Sequence, residues 1–226
     1  MKYRYFVFII FSLFFQMERT LAQDLDPRAY AWIPVGVSVV GLGYGYTYGG
    51  VVTDPTIPVS DINAHISTLS LGVAHIFSMF HKTTQISVNL PWNWATVTGS
   101  VQETAQRITR SGLGDMRIRY SILLMGGPAA TPAEIVKTPP RTILGASLYI
   151  IAPTGQYLYG KLINLGTNRW SFKPELALSQ PAGDRWLFDV YAGVWFFTAN
   201  NSFYPGNSVR TQDPLTAFQA HVSYNV

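Results

Sequence analysis

The sequence predicts an all-β fold, an antiparallel transmembrane β-barrel, and three observations carry that reading. The first is Arg110–Leu124, where Asp115, Arg117, Arg119 and Ser121 fall on one side and Met116, Ile118, Tyr120, Ile122 and Leu124 on the other. Strict alternation of this kind is the period of a β-strand, and this one needs water on one face and an apolar medium on the other. The second is composition: only 12% of the 226 residues are charged and 14% are aromatic, whereas a soluble domain carries about 25% charge. The third is the alternation of connection lengths described below.

The amino terminus reads as an export signal. Lys2 and Arg4 precede an apolar run from Phe6 to Phe15 broken only by Ser12, and Thr20-Leu21-Ala22 supplies the small residues of a cleavage site. The apolar run is too short to cross a bilayer, which takes roughly 20 residues. Residues 1–22 are therefore expected to be a cleaved signal peptide and residues 23–226 the barrel domain. Cleavage before Gln23 removes Lys2, Arg4, Glu18 and Arg19, and the formal charge falls from +4 to +2. No basic cluster points to nucleic acid. Cysteine is absent, which excludes disulfides, a thiolate metal site and a lipidated cysteine.

The strands follow in order. Asp24–Pro34 is an aromatic, turn-rich lead-in. Val35–Tyr48 alternates Gly41, Gly43 and Gly45 with Val40, Leu42, Tyr44, Tyr46 and Tyr48, and glycine lets a sheet curl sharply. Gly49–Ile62 is a loop. Asn63–Phe77 places Leu69, Leu71, Val73 and Phe77 on a face with His65 and His75, and a tight connection through Phe80 and His81 follows. Thr84–Trp94 sets Ile86, Val88, Leu90, Trp92 and Trp94 against Gln85, Ser87, Asn89 and Asn93. Ala95–Gly114 reads as a long polar connection. After Arg110–Leu124, residues 126–141 are proline-rich with one helical turn around Pro132–Val136. Thr142–Ala152, Trp170–Gln180, Trp186–Phe197 and Leu215–Val226 complete eight strands, each of the length that spans a bilayer when tilted.

Connections after the first, third, fifth and seventh strands are long, and those after the second and sixth are short; the one after the fourth is an exception. An outer-membrane barrel has long external loops and short periplasmic turns. A soluble sandwich has no reason to alternate them.

Several long motifs resemble one family. DLDPRAYAWIPVG near the start, RSGLGDMRIR at Arg110–Arg119, IAPTGQY at Ile151–Tyr157, INLGTNRWSFKPELALSQP at Ile163–Pro181 and AGVWFFTANNSF after it are similar to the meta-pathway phenol-degradation proteins. The resemblance covers nearly all of the chain after the leader. It implies a Gram-negative outer-membrane β-barrel transporter that passes small hydrophobic or aromatic solutes, with the membrane lipid and that solute as its partners. It also implies further strands beyond Val226 and a terminal aromatic residue. The chain ends on Asn225-Val226, and the expectation is the N-terminal part of a larger barrel.

The inward faces carry the candidate chemistry. Asp115, Arg117, Arg119, Lys173, Glu175, Asp189 and His221 are expected to face the lumen, either as a constriction that selects solutes or as ion pairs that brace the wall. Tyr44, Tyr46, Tyr48, Trp92, Trp94, Trp170 and Trp186 are expected at the lipid interface, where aromatic girdles sit. Three other classes stay in view. A lipid hydrolase would use a serine and a histidine held by an acid or amide, and His65, His75, His81 and His221 sit in no recognisable motif of that kind. A structural barrel without transport and a soluble exported carrier are the other two. No cofactor and no metal site are expected, because no His, Asp or Glu spacing resembles a ligand set.

Overall fold

The computed structural model describes residues 26–51, 59–101 and 104–224. The expected leader and the Asn225-Val226 terminus lie outside the described residues. Eleven strands and one short helix are present among them: β1 (Ser38–Gly50), β2 (Val59–Met79), β3 (Lys82–Val101), β4 (Thr104–Leu113), β5 (Met116–Met125), α1 (Pro132–Val136), β6 (Ile143–Ala152), β7 (Ser171–Ala182), β8 (Trp186–Phe197), β9 (Asn200–Phe203), β10 (Ser208–Arg210) and β11 (Leu215–Tyr224).

Eight of the strands form one continuous antiparallel path, β1-β2-β3-β5-β6-β7-β8-β11, with β4 on the far end of β3. The sheet curls into a half-barrel, and among the described residues no ladder joins β1 to β11. The hairpin of β9 and β10 stands outside it. All thirteen residues of β1 are exposed on both faces, as befits the open edge of a curled sheet.

The β2–β3 hairpin turns on two residues. Met79 pairs with Lys82, and Phe80 and His81 between them both have positive φ, 53° and 58°. That conformation matches the right-handed twist of the flanking strands, although neither residue is glycine.

Two expectations are corrected here. Residues 95–114 are not a loop: β3 runs on to Val101 and β4 pairs back along it from Trp92↔Leu113 to Val101↔Thr104. The expected single strand Arg110–Leu124 is broken at Gly114-Asp115, where β4 ends and β5 begins. β3 therefore changes partner, from β5 up to Asn89↔Arg117 to β4 from Trp92 onward. Pro91 sits at that change. It lacks an N–H, and the position between two ladders is where a central strand can dispense with one; its carbonyl still accepts from the Gly114 N–H at 2.9 Å. The helical turn occurs where the sequence places it, with Glu134 accepting from the Thr131 N–H at 2.7 Å and from its hydroxyl at 2.8 Å.

The polarity of the two faces is inverted relative to a soluble sheet. On β7 the buried residues are Ser171, Lys173, Glu175, Ala177 and Ser179, while Leu176 on the other face is 58% exposed. Phe218 and Val222 on β11 are 53% and 60% exposed. A surface of exposed leucine, valine and phenylalanine over a buried polar face is the pattern of a strand between lipid and lumen.

The N-terminal segment lies on the inner face. Tyr30 is buried in a small cluster with Leu123, Ile143, Ala177 and Tyr191, against which Ala29 and Trp32 pack. Gly145 makes this possible: a Cβ there would lie 2.3 Å from the Tyr30 ring. The Trp32 Nε1–H donates to the Pro128 carbonyl at 2.8 Å, and the Val35 N–H to Ala130 at 3.0 Å.

Candidate functional site

Alternation along β5, β6, β7 and β8 aims Arg119, Tyr149, Lys173 and Trp195 at one place. The Lys173 ammonium lies 4.2 Å from the centre of the Tyr149 ring and 5.3 Å from that of Trp195. Its charge is balanced by Glu175, with Nζ to Oε2 at 2.7 Å and both side chains almost wholly buried. The Arg119 guanidinium stands over Tyr30 at 4.6 Å and over Tyr149 at 5.2 Å. Cation–aromatic contacts of this kind strengthen when desolvated.

The N-terminal segment is bonded into the same group. The Tyr30 hydroxyl lies 2.6 Å from Ser147 Oγ and donates to Glu175 Oε1 at 3.0 Å. Burial is the main cause that pushes this hydroxyl up to about 12. The Tyr149 hydroxyl donates to Asp26 Oδ2 at 3.2 Å, and the Asp26 N–H to Gln219 Oε1 at 3.3 Å. Beside these groups lies a cavity of about 630 Å³, lined among others by Arg28, Asn89, Arg117, Arg119, Tyr149 and Trp195. Its charged lining is mainly cationic, and the Tyr149 and Trp195 rings line it as well.

The remaining expected inner-face residues are placed as follows. Arg117 is exposed at the cavity. Asp189 is 1% exposed, lies opposite His221 in the β8–β11 register, and its Oδ2 has no hydrogen-bond partner. His221 lies 3.2 Å from Gln219 Oε1 and against the Tyr191 ring. Asp115 is different: it occupies the break between β4 and β5 and binds a loop. Its carboxylate accepts from the Gly155 N–H at 2.9 Å and from the Thr167 N–H and hydroxyl at 2.8 and 2.7 Å.

The seven aromatic residues singled out from the sequence are all exposed, from Trp92 at 41% to Tyr48 at 73%. Register puts Tyr44, Leu69 and Trp92 in one row and Tyr46, Ser67 and Trp94 in the next. Trp170 stacks on Phe172 at the start of β7, and Trp186 packs on Tyr224 at the opposite end of the β7–β8 hairpin. The histidines do not converge. His75 lies 2.8 Å from Ser38 Oγ on the exposed face, and His65 lies 2.8 Å from the Tyr46 hydroxyl; no carboxylate completes either pair among the described residues.

The family described as "Putative MetA-pathway of phenol degradation" matches residues 40–226. The chain belongs to this family. Among solved structures, this phenol-degradation family member is similar to an outer membrane channel from Pseudomonas putida F1, with a TM-score of 0.68. Identity is 23%, over 90% of this chain and 72% of that one, so the likeness is one of fold. No curated protein matches the chain.

Alternation alone puts Arg117, Arg119, Lys173, Glu175, Asp189 and His221 on inner faces. Tyr30, Tyr149 and Trp195 are missed. Tyr149 and Trp195 alternate with the apolar faces of their own strands, which is a usable signal. Tyr30 carries none, because its partners lie 117 and 145 residues away.

Proposed function

We propose that the protein is exported by cleavage after residue 22, that its 23–226 domain sits in the outer membrane, and that the complete protein passes small hydrophobic or aromatic compounds passively. The observation that carries this reading is the cavity between the cationic wall and the Tyr149 and Trp195 rings. Its volume of about 630 Å³ falls in the roughly 300–1,000 Å³ range of small-molecule sites. A phenol-like solute presents a ring to those rings and a polar oxygen to Arg117, Arg119 or Lys173. The family description and the channel named in the similar structure support the same reading. On the outside, Tyr44, Tyr46, Tyr48, Trp92, Trp94, Trp170 and Trp186 form the interfacial girdle, with lipid between its two levels.

The test is uptake. Liposomes holding the complete protein should take up phenol faster than protein-free ones, and Tyr149→Ala with Trp195→Ala should slow it. Equal rates with and without protein would leave a structural barrel.

A further inference from the structure

A second pocket lies in the long loops at the rim, away from the cavity described above. It has a volume of about 200 Å³ and is lined by residues of the 153–170 connection together with Asn200, Phe203 and Arg210 of the β9–β10 hairpin and its approach. Two features bear on what it could hold. Arg169 and Arg210 both line it, yet among the described residues neither has a carboxylate within ion-pair distance. The Arg169 guanidinium is held over Phe197 at 4.5 Å and donates through Nη2 to Gln212, while its Nη1 is buried with no acceptor. Arg210 lies over Phe203 at 4.9 Å. Burial, and then the nearby Arg210 charge, weigh against the protonated form of Arg169. Two like charges brought together with a buried, unused donor call for an anion.

The remaining walls say which kind. Asn200 is 3% exposed and fully engaged: its amide donates to the Tyr157 hydroxyl at 3.0 Å and the Thr167 carbonyl at 3.1 Å, and its oxygen accepts from Asn168 and the Ser202 N–H. Asp115, which reaches this loop from the break between β4 and β5, is spent on Gly155 and Thr167. Asp213, the acid of the neighbouring 198–214 connection, is exposed and makes no ion pair with either arginine. Leu162 and Phe203 supply apolar wall. The planar fork of arginine matches a carboxylate, and the apolar wall matches a ring.

We propose that Arg169 and Arg210 hold the carboxylate of a small aromatic acid in this rim pocket, with its ring against Leu162 and Phe203. The site is separate from the inner cavity, and its occupancy is read without any transport.

The experiment is calorimetric titration of the full chain refolded in detergent at low salt, with benzoate, benzyl alcohol and inorganic phosphate as probes. Benzoate should bind saturably, and the other two at least about tenfold more weakly, because each lacks half of what the pocket offers. Arg169→Gln and Arg210→Gln should each weaken benzoate by about tenfold or more, whereas Arg107→Gln on β4 should not. Arg210 belongs to a hairpin outside the main sheet, so its substitution leaves the barrel wall intact. Benzyl alcohol or phosphate binding as tightly as benzoate, no saturable benzoate binding, or indifference to both substitutions would each overturn the assignment. The probe series uses the unsubstituted chain and decides the matter even if a variant misfolds.

Discussion

Replacing Tyr30 with phenylalanine removes one oxygen and leaves the ring in place. Two hydrogen bonds go with it, the 2.6 Å contact to Ser147 and the 3.0 Å bond to Glu175. A neutral bond is worth about 0.5–1.5 kcal/mol net and one to a charged group about 1.5–3 kcal/mol. Glu175 keeps its Lys173 partner at 2.7 Å, which places the loss toward the lower end, at about 2 kcal/mol. If these bonds hold the N-terminal segment against the wall, its local opening becomes roughly 30-fold more frequent. The chain contains no cysteine, so one introduced thiol is an unambiguous reporter. Ala31→Cys places it beside Ile76 and Leu123 on the inner face. The rate of maleimide labelling should rise about 30-fold when Tyr30→Phe is added, while heat-dependent gel mobility stays unchanged. Rates within about twofold of each other would refute the idea that these bonds fasten the segment.

The Tyr30 hydroxyl also predicts an alkaline transition. Its folded value is raised to about 12 from an ordinary 10.0, so its contribution is complete below pH 10 and is lost as pH climbs toward 12; the melting temperature should fall across that window more steeply in the parent than in Tyr30→Phe. Lys173→Met leaves the buried Glu175 carboxylate without its cation, and the urea midpoint should drop by the equivalent of about 3–5 kcal/mol, with partial recovery in Lys173→Met/Glu175→Gln. Asp115→Asn confronts its three donors with an amide in place of one oxygen. Limited proteolysis should then cut the 153–170 connection first, at a rate on the order of tenfold above the parent, since removing a charged acceptor costs about 1.5–3 kcal/mol.

Alternation made the strands readable wherever one face meets an apolar medium. Trp186–Phe197 has the same bounds in sequence and structure, and Thr142–Ala152 differs by one residue. The signal fails where both faces meet water: β4, TAQRITRSGL, and the far half of β3 carry no apolar stripe, so a paired hairpin reads as a polar loop. Asp115 misled for a related reason. It keeps phase with Arg117 and Arg119, but Gly114 breaks the strand beside it, and packing against Pro91 and Asn93 has no local signature. The lead-in carries no local signal, since the place of Tyr30 depends on Gly145, Ser147 and Glu175 arriving from elsewhere.

The meander of the sheet also bears on how the chain finds its shape. Neighbours along β5-β6-β7-β8 are consecutive in sequence, and the entropy lost in closing a loop grows only with the logarithm of its length. The β2–β3 and β3–β4 ladders each close over two residues and are the least costly to start. The β8–β11 ladder must enclose the whole 198–214 excursion before its first pair forms. Growth from these hairpins toward β11 would add one strand at a time, each new edge serving as template for the next. In that order Tyr30 would meet Glu175 only once β7 was in place, so the segment that comes first in the chain would be fastened late.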